Sequence, residues 1–425
     1  MMTPGIGGIQ KTTNYKVVLP FYVYASLGFL LGATLLMFST VDIGIHYFNP
    51  HILAITHSMA LAWGTMLIFG ASHQLLPVLV EGKLNSDLLA FLSFGFMAIG
   101  IPILIYGFYI FNLGTPLKTG ATLINLGVVC YFINVMTTAL KNNRKNIHAW
   151  YAITATLWLL STTLLGLLLV FNFQSPFLAK NSVYYLVIHA HFGMIGWFLL
   201  MVIGLGSRLI PMFLISKYTN NKILWLIFTI INVALILFVF IYLFNWSAYL
   251  FYIPIIMGIF AVILFGRHCF QAYKMRIRKN VDQQVKTSLI SVFLMLLPFI
   301  ILLVTISLIP QVYSNRMAML YGFTIFFGWI TAIILGMTFK TMPFIIWNKV
   351  YHNKAHKGRT PAPKEIFNDQ VYKTMLYCYL GGFIIFIIGI TLFNQFILKS
   401  GAILLFLAAI LYVYNMLLTA NHKSK

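Results

Sequence analysis

Long apolar segments alternate with short polar ones along the whole chain. Twelve of them approach or exceed the roughly 20 residues that an α-helix needs to cross a bilayer. They are residues 16–38, 51–78, 87–111, 118–140, 148–171, 184–214, 222–245, 248–272, 286–309, 314–346, 371–393 and 399–419. The pattern predicts an all-α polytopic membrane protein with about twelve transmembrane helices, a single transmembrane domain over 1–425, and a solvated loop at 347–370.

A motif inside these segments occurs three times. It has tryptophan, glycine and proline at seven-residue intervals, preceded in two copies by histidine. The copies are His57, Trp63, Gly70 and Pro77 in span 2, His191, Trp197, Gly204 and Pro211 in span 6, and Phe323, Trp329, Gly336 and Pro343 in span 10. Steps of seven lie near one helical face, so these residues are predicted to pack helices closely. The repeat predicts three pseudo-symmetric four-helix units, approximately 16–140, 148–272 and 286–419.

The charge distribution predicts the orientation. Hydrophobic residues make up 61% of the chain and charged residues 8%, against about 25% charged in soluble domains. Of 28 lysines and arginines, 24 fall on one side of the predicted membrane, and the six acidic residues lie in loops or at span edges. This asymmetry predicts a cytoplasmic (inner) membrane protein with both termini cytoplasmic, in contact with lipid and not with nucleic acid. The remaining four basic residues are Lys118, Lys180, Arg316 and Lys399.

Two kinds of chemistry are disfavoured. The three cysteines are scattered, so the chain has no CxxCH motif for covalent c-type haem and no thiolate metal motif. No carboxylate lies in the middle of a predicted span, where proton-coupled transporters and pumps usually have one.

The histidines of spans 2 and 6 are the candidate functional residues. His57 and His191 lie at matched depth about two turns inside the membrane, and His189 precedes His191 by two residues. Each could be a neutral core histidine bonded to a backbone carbonyl, but ionisable groups at such depth are usually functional. Neutral imidazoles that face one another across a bundle are typical axial ligands of low-spin haem. We expect His57 and His191 to be axial ligands of a haem iron, with His189 as the alternative ligand or the ligand of a second metal. The repeat leaves open whether His57 and His191 face each other.

Two segments resemble subunit I of the haem–copper oxidases. HAHFGMIGWFLLMVIGLGSRLIP, from His189 to Pro211, is similar to the family's His-x-His helix, which ligates both haems. HSMALAWGTMLIFGASHQLLP, from His57, is similar to the helix that supplies the other low-spin haem ligand. The resemblance implies haem b, and respiratory electron transfer or chemistry on a diatomic gas such as O2 or NO. It also implies other respiratory subunits, or a cytochrome c or quinol donor, as partners. As an enzyme the protein would be an oxidoreductase of the cytochrome c oxidase, quinol oxidase or nitric oxide reductase type.

The chain departs from the complete oxidases at the copper site. Their His-x-His pair is on span 10, where this chain has Tyr321 and Phe323. Their copper site needs a histidine followed four residues later by tyrosine, but His189 is followed by Gly193, and span 7 has no histidine pair. The Arg-Arg pair between spans 11 and 12 is also missing. We therefore expect no complete copper site, and a short oxidase-like protein comparable to the NnrS group of haem proteins, whose WHAHEM signature it lacks.

Two other functions remain open. A non-redox membrane transporter, or an assembly factor for copper or haem, could use the same helices and histidines. A purely structural subunit of a larger oxidase is the third alternative. Whether the protein is an enzyme is left open by the sequence.

Overall fold

The described part of the chain contains twelve long apolar helices, as the hydropathy pattern predicts for a multi-pass membrane protein. The computed structural model describes residues 13–141, 146–310, 314–352 and 360–424. The helices are α1 (Tyr15–Phe38), α2 (Pro50–Leu79), α3 (Asp87–Tyr109), α4 (Thr115–Leu140), α5 (Ile147–Gln174), α6 (Ser182–Phe213), α7 (Asn221–Leu243), α8 (Ala248–Lys274), α9 (Gln283–Leu308), α10 (Ser314–Tyr351), α11 (Asp369–Leu392) and α12 (Gln395–Ala420).

The predicted loop at 347–370 is too long at its start. Helix α10 continues to Tyr351 because its last turn is tied to neighbouring chain. The indole Nε1 of Trp347 donates to the carbonyl of Pro361 at 2.7 Å, and the Tyr351 hydroxyl lies 2.9 Å from Nε2 of His422. A short turn at Pro363–Glu365 then leads into α11. The middle of the predicted loop, 353–359, and the basic residues Arg144 and Lys145 lie outside the described residues.

The even-numbered helices begin at one end of the bundle, which we call the histidine end, and the odd-numbered helices begin at the other, the basic end. Helices α2 and α10 are the most deeply buried of the twelve. A tryptophan of one motif helix bonds a threonine of the next in a cyclic order. Trp63 Nε1 donates to Thr331 Oγ1 at 3.0 Å, and Trp197 Nε1 donates to Thr65 Oγ1 at 3.0 Å.

The third equivalent position is apolar. Trp329 and Leu199 line the same small void, and a leucine offers no acceptor to the indole N–H. Leu199 follows its tryptophan by two residues, as Thr65 and Thr331 follow theirs. The three units are therefore arranged around a common axis, with one of the three equivalent bonds missing.

The motif glycines permit close helix packing, which confirms their predicted role. In each unit the motif helix lies so close to the first helix that a Cβ on the glycine would clash. The hypothetical Cβ would lie 2.8 Å from Phe21 for Gly70, 2.5 Å from Tyr151 for Gly204, and 2.3 Å from Ser288 for Gly336. These short distances show that the packing frame is shared by all three units.

All three motif helices widen into a π-helical stretch at the same place. The stretches are Ser58–Thr65, Phe192–Leu199 and Thr324–Ile330, and each begins directly after the first position of the motif. A π-helical turn inserts an extra residue into the helix and changes the direction in which the preceding side chains leave it. Such turns are frequent at functional sites.

The outer hairpins of the three units differ. In the first and third units an asparagine of the fourth helix bonds both backbone groups of the residue that caps the third helix. These pairs are Asn134 with Ser86, and Asn415 with Asn368. In the second unit His268 follows the capping residue Asn220 by the same number of residues as Asn134 follows Ser86. The Nε2 atom of His268 lies 3.3 Å from the carbonyl oxygen of Ser207 and does not bond the capping residue.

Candidate functional site

A cavity of about 400 Å³ lies between the three motif helices, toward the histidine end. Its volume falls within the roughly 300–1,000 Å³ that is common for small-molecule and cofactor sites. Its wall is mainly aliphatic and aromatic. The three histidines singled out by the sequence, His57, His189 and His191, all line it.

His57 is held in one orientation by its own helix and by an aromatic neighbour. Its Nδ1 lies 2.8 Å from the carbonyl oxygen of Leu53, so this nitrogen carries the proton and donates. The ring of Phe108 stacks on the imidazole with 4.5 Å between ring centres and 24° between planes. The unprotonated Nε2 is left accessible in the cavity wall.

His189 is positioned by α5. Its Nδ1 donates to the carbonyl of Thr162 at 2.9 Å, which again leaves Nε2 as the nitrogen with a free lone pair. Gly166, one turn further along α5, makes room for the ring, since a Cβ there would lie 2.8 Å from Cε1 of His189. A glycine is thus required for the imidazole to occupy this position.

His57 and His189 are the two imidazoles that the fold brings together. Their ring centres are 6.4 Å apart, and their planes are inclined by 26°. Two imidazoles that ligate one metal ion from opposite sides have ring centres roughly 6 Å apart, because each metal–nitrogen bond is about 2 Å and each ring centre lies about 1 Å behind its nitrogen.

His191 has a different partner. Its Nδ1 donates to the carbonyl of Val187 at 2.8 Å, and Phe238 lies against its ring at 4.4 Å. Its Nε2 is 3.5 Å from the hydroxyl of Tyr321, which is a suitable donor to that nitrogen. The two rings lie 6.0 Å apart with 24° between planes, nearly the same relation as in the His57–His189 pair.

The two pairs occupy equivalent positions in the repeat. In each pair, the residue at the first position of one motif faces the residue that lies two places before the first position of the next motif. His57 thus faces His189, and His191 faces Tyr321. The third combination in this series is Phe323 with Ile55, and both residues line the cavity. The cavity thus has one His–His position, one His–Tyr position and one apolar position.

The cavity wall offers few ligands to a bare metal ion. Within the described part of the chain, no group of three or more histidine, cysteine, aspartate or glutamate side chains is arranged to hold one. The donor set at the closest pair is two neutral imidazole nitrogens, and the surrounding wall is apolar.

Comparison with known proteins gives no relative. Neither the models of protein families nor the curated proteins include a match to this chain. The function must therefore be argued from the site itself.

The sequence identified the three histidines but not their partners. It favoured His57 with His191 and kept His189 as the alternative ligand, and the ring that lies nearer to His57 is that of His189, with 6.4 Å between ring centres. It assigned no role to Tyr321, Thr162 or Gly166. A signal for Tyr321 was present, because aligning the motifs places it in register with His189 and Ile55.

Proposed function

We propose that the cavity binds haem b, with His57 and His189 as the axial ligands of its iron. The observation that carries this proposal is the spacing of the two imidazoles, 6.4 Å between ring centres. Both rings donate Nδ1–H to a backbone carbonyl, which leaves Nε2 of each ring as the nitrogen available to a metal. Histidine ligands of metals are commonly oriented in this way, and the hydrogen bond raises their basicity.

The donor set favours a porphyrin over a bare ion. Two imidazoles satisfy only the axial positions of a metal, and a porphyrin brings its own four equatorial nitrogens. The largely aliphatic and aromatic wall suits the faces of a flat, apolar macrocycle and keeps water away from it. A zinc or copper(II) ion alone would need further ligands at this pair, and the described residues provide no third His, Cys, Asp or Glu side chain there.

The haem and the residues around it would have different roles. Bound haem would supply one-electron transfer or the binding of a diatomic gas. Leu53 and Thr162 keep the two imidazoles neutral and oriented, and Phe108 limits rotation of His57. The other pair, His191 with Tyr321, keeps a hydrogen-bonding donor and acceptor at the same cavity.

The wider assignment rests on the resemblance of spans 2 and 6 to oxidase subunit I. We propose a haem protein of that type without a complete copper site, working in respiratory electron transfer or diatomic gas chemistry. Its donor would be a cytochrome c, a quinol or another respiratory subunit. The excess of basic residues at the basic end supports an inner-membrane location with that end in the cytoplasm.

The absorption spectrum of the purified protein tests the proposal. Haem with two histidine ligands predicts a b-type band in the reduced-minus-oxidised spectrum and about one haem per chain. The band disappears in His57→Ala. A well-folded but colourless preparation that does not take up added haem contradicts the proposal.

Other outcomes would identify the alternative functions. A haem-free sample that binds copper or zinc in a fixed ratio indicates a transporter or an assembly factor. Co-purification with a catalytic subunit, with cofactor content unchanged by His57→Ala, indicates a structural subunit.

A further inference from the structure

The connection between α1 and α2 covers part of the histidine end of the cavity. We call residues 39–49 the cover segment. Its side chains Ile43, Tyr47 and Phe48 line the cavity. Among the connections that the structure describes at this end, no other contributes a side chain to the wall, which otherwise consists of helices.

One polar group holds the cover segment to α2. The carboxylate of Asp42 accepts a hydrogen bond from Nδ1 of His51 at 2.7 Å and another from the amide of Asn49 at 3.3 Å. Asp42 alone of the six acidic residues lies at the histidine end. Its side chain is 15% exposed and that of His51 38%, so the pair borders solvent.

The middle of the cover segment contacts a residue of α10 and the residue after α11 through a hydrogen bond and an aromatic ring. The amide of Asn315 donates to the carbonyl of Ile45 at 3.1 Å. Gly44 has a φ of +89° and lies against the ring of Phe393, and a Cβ on this glycine would be 2.7 Å from that ring. The segment therefore bends sharply at Gly44 and packs against Phe393, the residue that follows α11.

We propose that the cover segment is the lid of the cavity and that Asp42 with His51 is its latch. A large occupant that enters from the histidine end has to part packed helices or displace this connection. Displacing the connection breaks a few hydrogen bonds at a solvent border, whereas parting the helices exposes their tightly packed faces. The identity of the occupant rests on the proposed function, but the lid does not.

Cysteine labelling of the cavity wall tests the lid. Ala60 lines the cavity on α2, so Ala60→Cys is introduced after the three native cysteines are replaced by serine. The haem-free protein is exposed to a small, positively charged methanethiosulfonate reagent. Asp42→Asn removes a charge-assisted bond and should speed labelling about tenfold. His51→Gln should act in the same direction and provides a second variant.

The control is an exposed ion pair within one helix at the basic end. Asp369 and Lys373 are 2.8 Å apart and exposed to solvent, and Asp369→Asn should leave the labelling rate unchanged. Unchanged labelling in both Asp42→Asn and His51→Gln overturns the lid. Equal acceleration in Asp369→Asn overturns it as well, because that result indicates general loosening.

The two proposals fail in different ways. A colourless protein in which Asp42→Asn speeds labelling would support the lid proposal and contradict the haem proposal. If the protein contains haem and its haem-free form is labelled at the same rate in every variant, the haem proposal is supported and the lid proposal is contradicted.

Discussion

The imidazole of His189 is fixed from two directions by one neighbouring helix. The carbonyl of Thr162 accepts its Nδ1–H, and the missing side chain of Gly166 leaves the space that its ring occupies. Neither contact involves a residue that could itself ligate iron through a side chain. The orientation of the His189 imidazole thus depends on residues that no metal-ligand motif would identify.

Gly166→Ala should damage the site without unfolding the protein. The added Cβ would lie 2.8 Å from Cε1 of His189 and push the ring away from its position. We expect haem affinity to fall about 10- to 100-fold, the usual effect of disturbing groups that orient metal ligands. Titration of the haem-free protein with haem, followed by absorption, measures this.

Gly206→Ala is the matched control for this change, since Gly206 is on α6 but outside the cavity wall. Its Cβ would meet only Phe265 Cζ, at 3.4 Å, and Ile210 Cδ1, at 3.8 Å, which are ordinary contacts. Wild-type haem affinity in both alanine variants would show that the space at Gly166 does not position His189.

Thr65→Val should lower stability, because it removes the acceptor of the Trp197 indole N–H in a fully buried place. We expect a loss of about 1 kcal/mol, since hydrogen bonds between membrane helices are modest in strength. The midpoint of thermal unfolding in detergent provides the measurement. In the control Thr305→Val the hydroxyl bonds only Ile301 of its own helix, so little change is expected. Equal unfolding midpoints for the two variants would argue against this bond.

At the scale of single helices, the motif helices combine a glycine contact at one end with a widened π-helical turn at the other. The glycine contact could be predicted, because small residues at helical spacing are a recognisable packing signal. The π-helical turns could not be, since hydropathy and seven-residue spacing do not distinguish them from regular helix. They begin directly after His57 and His191, so the depth of these histidines could be predicted but the direction of their side chains could not.

Gly336→Ala tests the packing frame. Its Cβ would lie 2.3 Å from Oγ of Ser288 and 2.6 Å from the backbone oxygen of Gln284, which cannot move aside. We expect a loss of about 1–3 kcal/mol from overpacking, seen as a lower unfolding midpoint. Gly95→Ala has no atom within 4 Å of the new Cβ and should be neutral or stabilising, because alanine favours helix. A Gly336→Ala protein as stable as Gly95→Ala would rule out close contact between α9 and α10.

At the scale of the whole molecule, three similar units carry three different sets of side chains. The sequence was sufficient to predict the twelve spans, their approximate limits and the threefold repeat. The length of an apolar segment and the spacing of motif residues are local properties that do not depend on how the helices pack. The partner of each histidine could not be predicted, since the repeat does not say in which direction the units follow one another. The direction is seen only in contacts between units, such as Trp63 with Thr331.

The second unit should be the least rigid of the three at its outer hairpin. The hairpins α3–α4 and α11–α12 are joined by the asparagine bonds and by closely packed glycines, among them Gly100 with Gly120 and Gly382 with Gly401. In the hairpin α7–α8 the asparagine is replaced by His268. Hydrogen exchange followed by mass spectrometry should therefore show faster exchange in α7–α8. Equal protection in all three hairpins would contradict this.

The pairing of His57 with His189 is tested most directly by comparing two variants of neighbouring histidines. We predict that His189→Ala abolishes the b-type band of the reduced-minus-oxidised spectrum, because it removes one of the two axial ligands. His191→Ala should keep that band, because its imidazole faces Tyr321 on the other side of α6. Loss of the band in His191→Ala, together with its retention in His189→Ala, would contradict the account and make His191 the ligand.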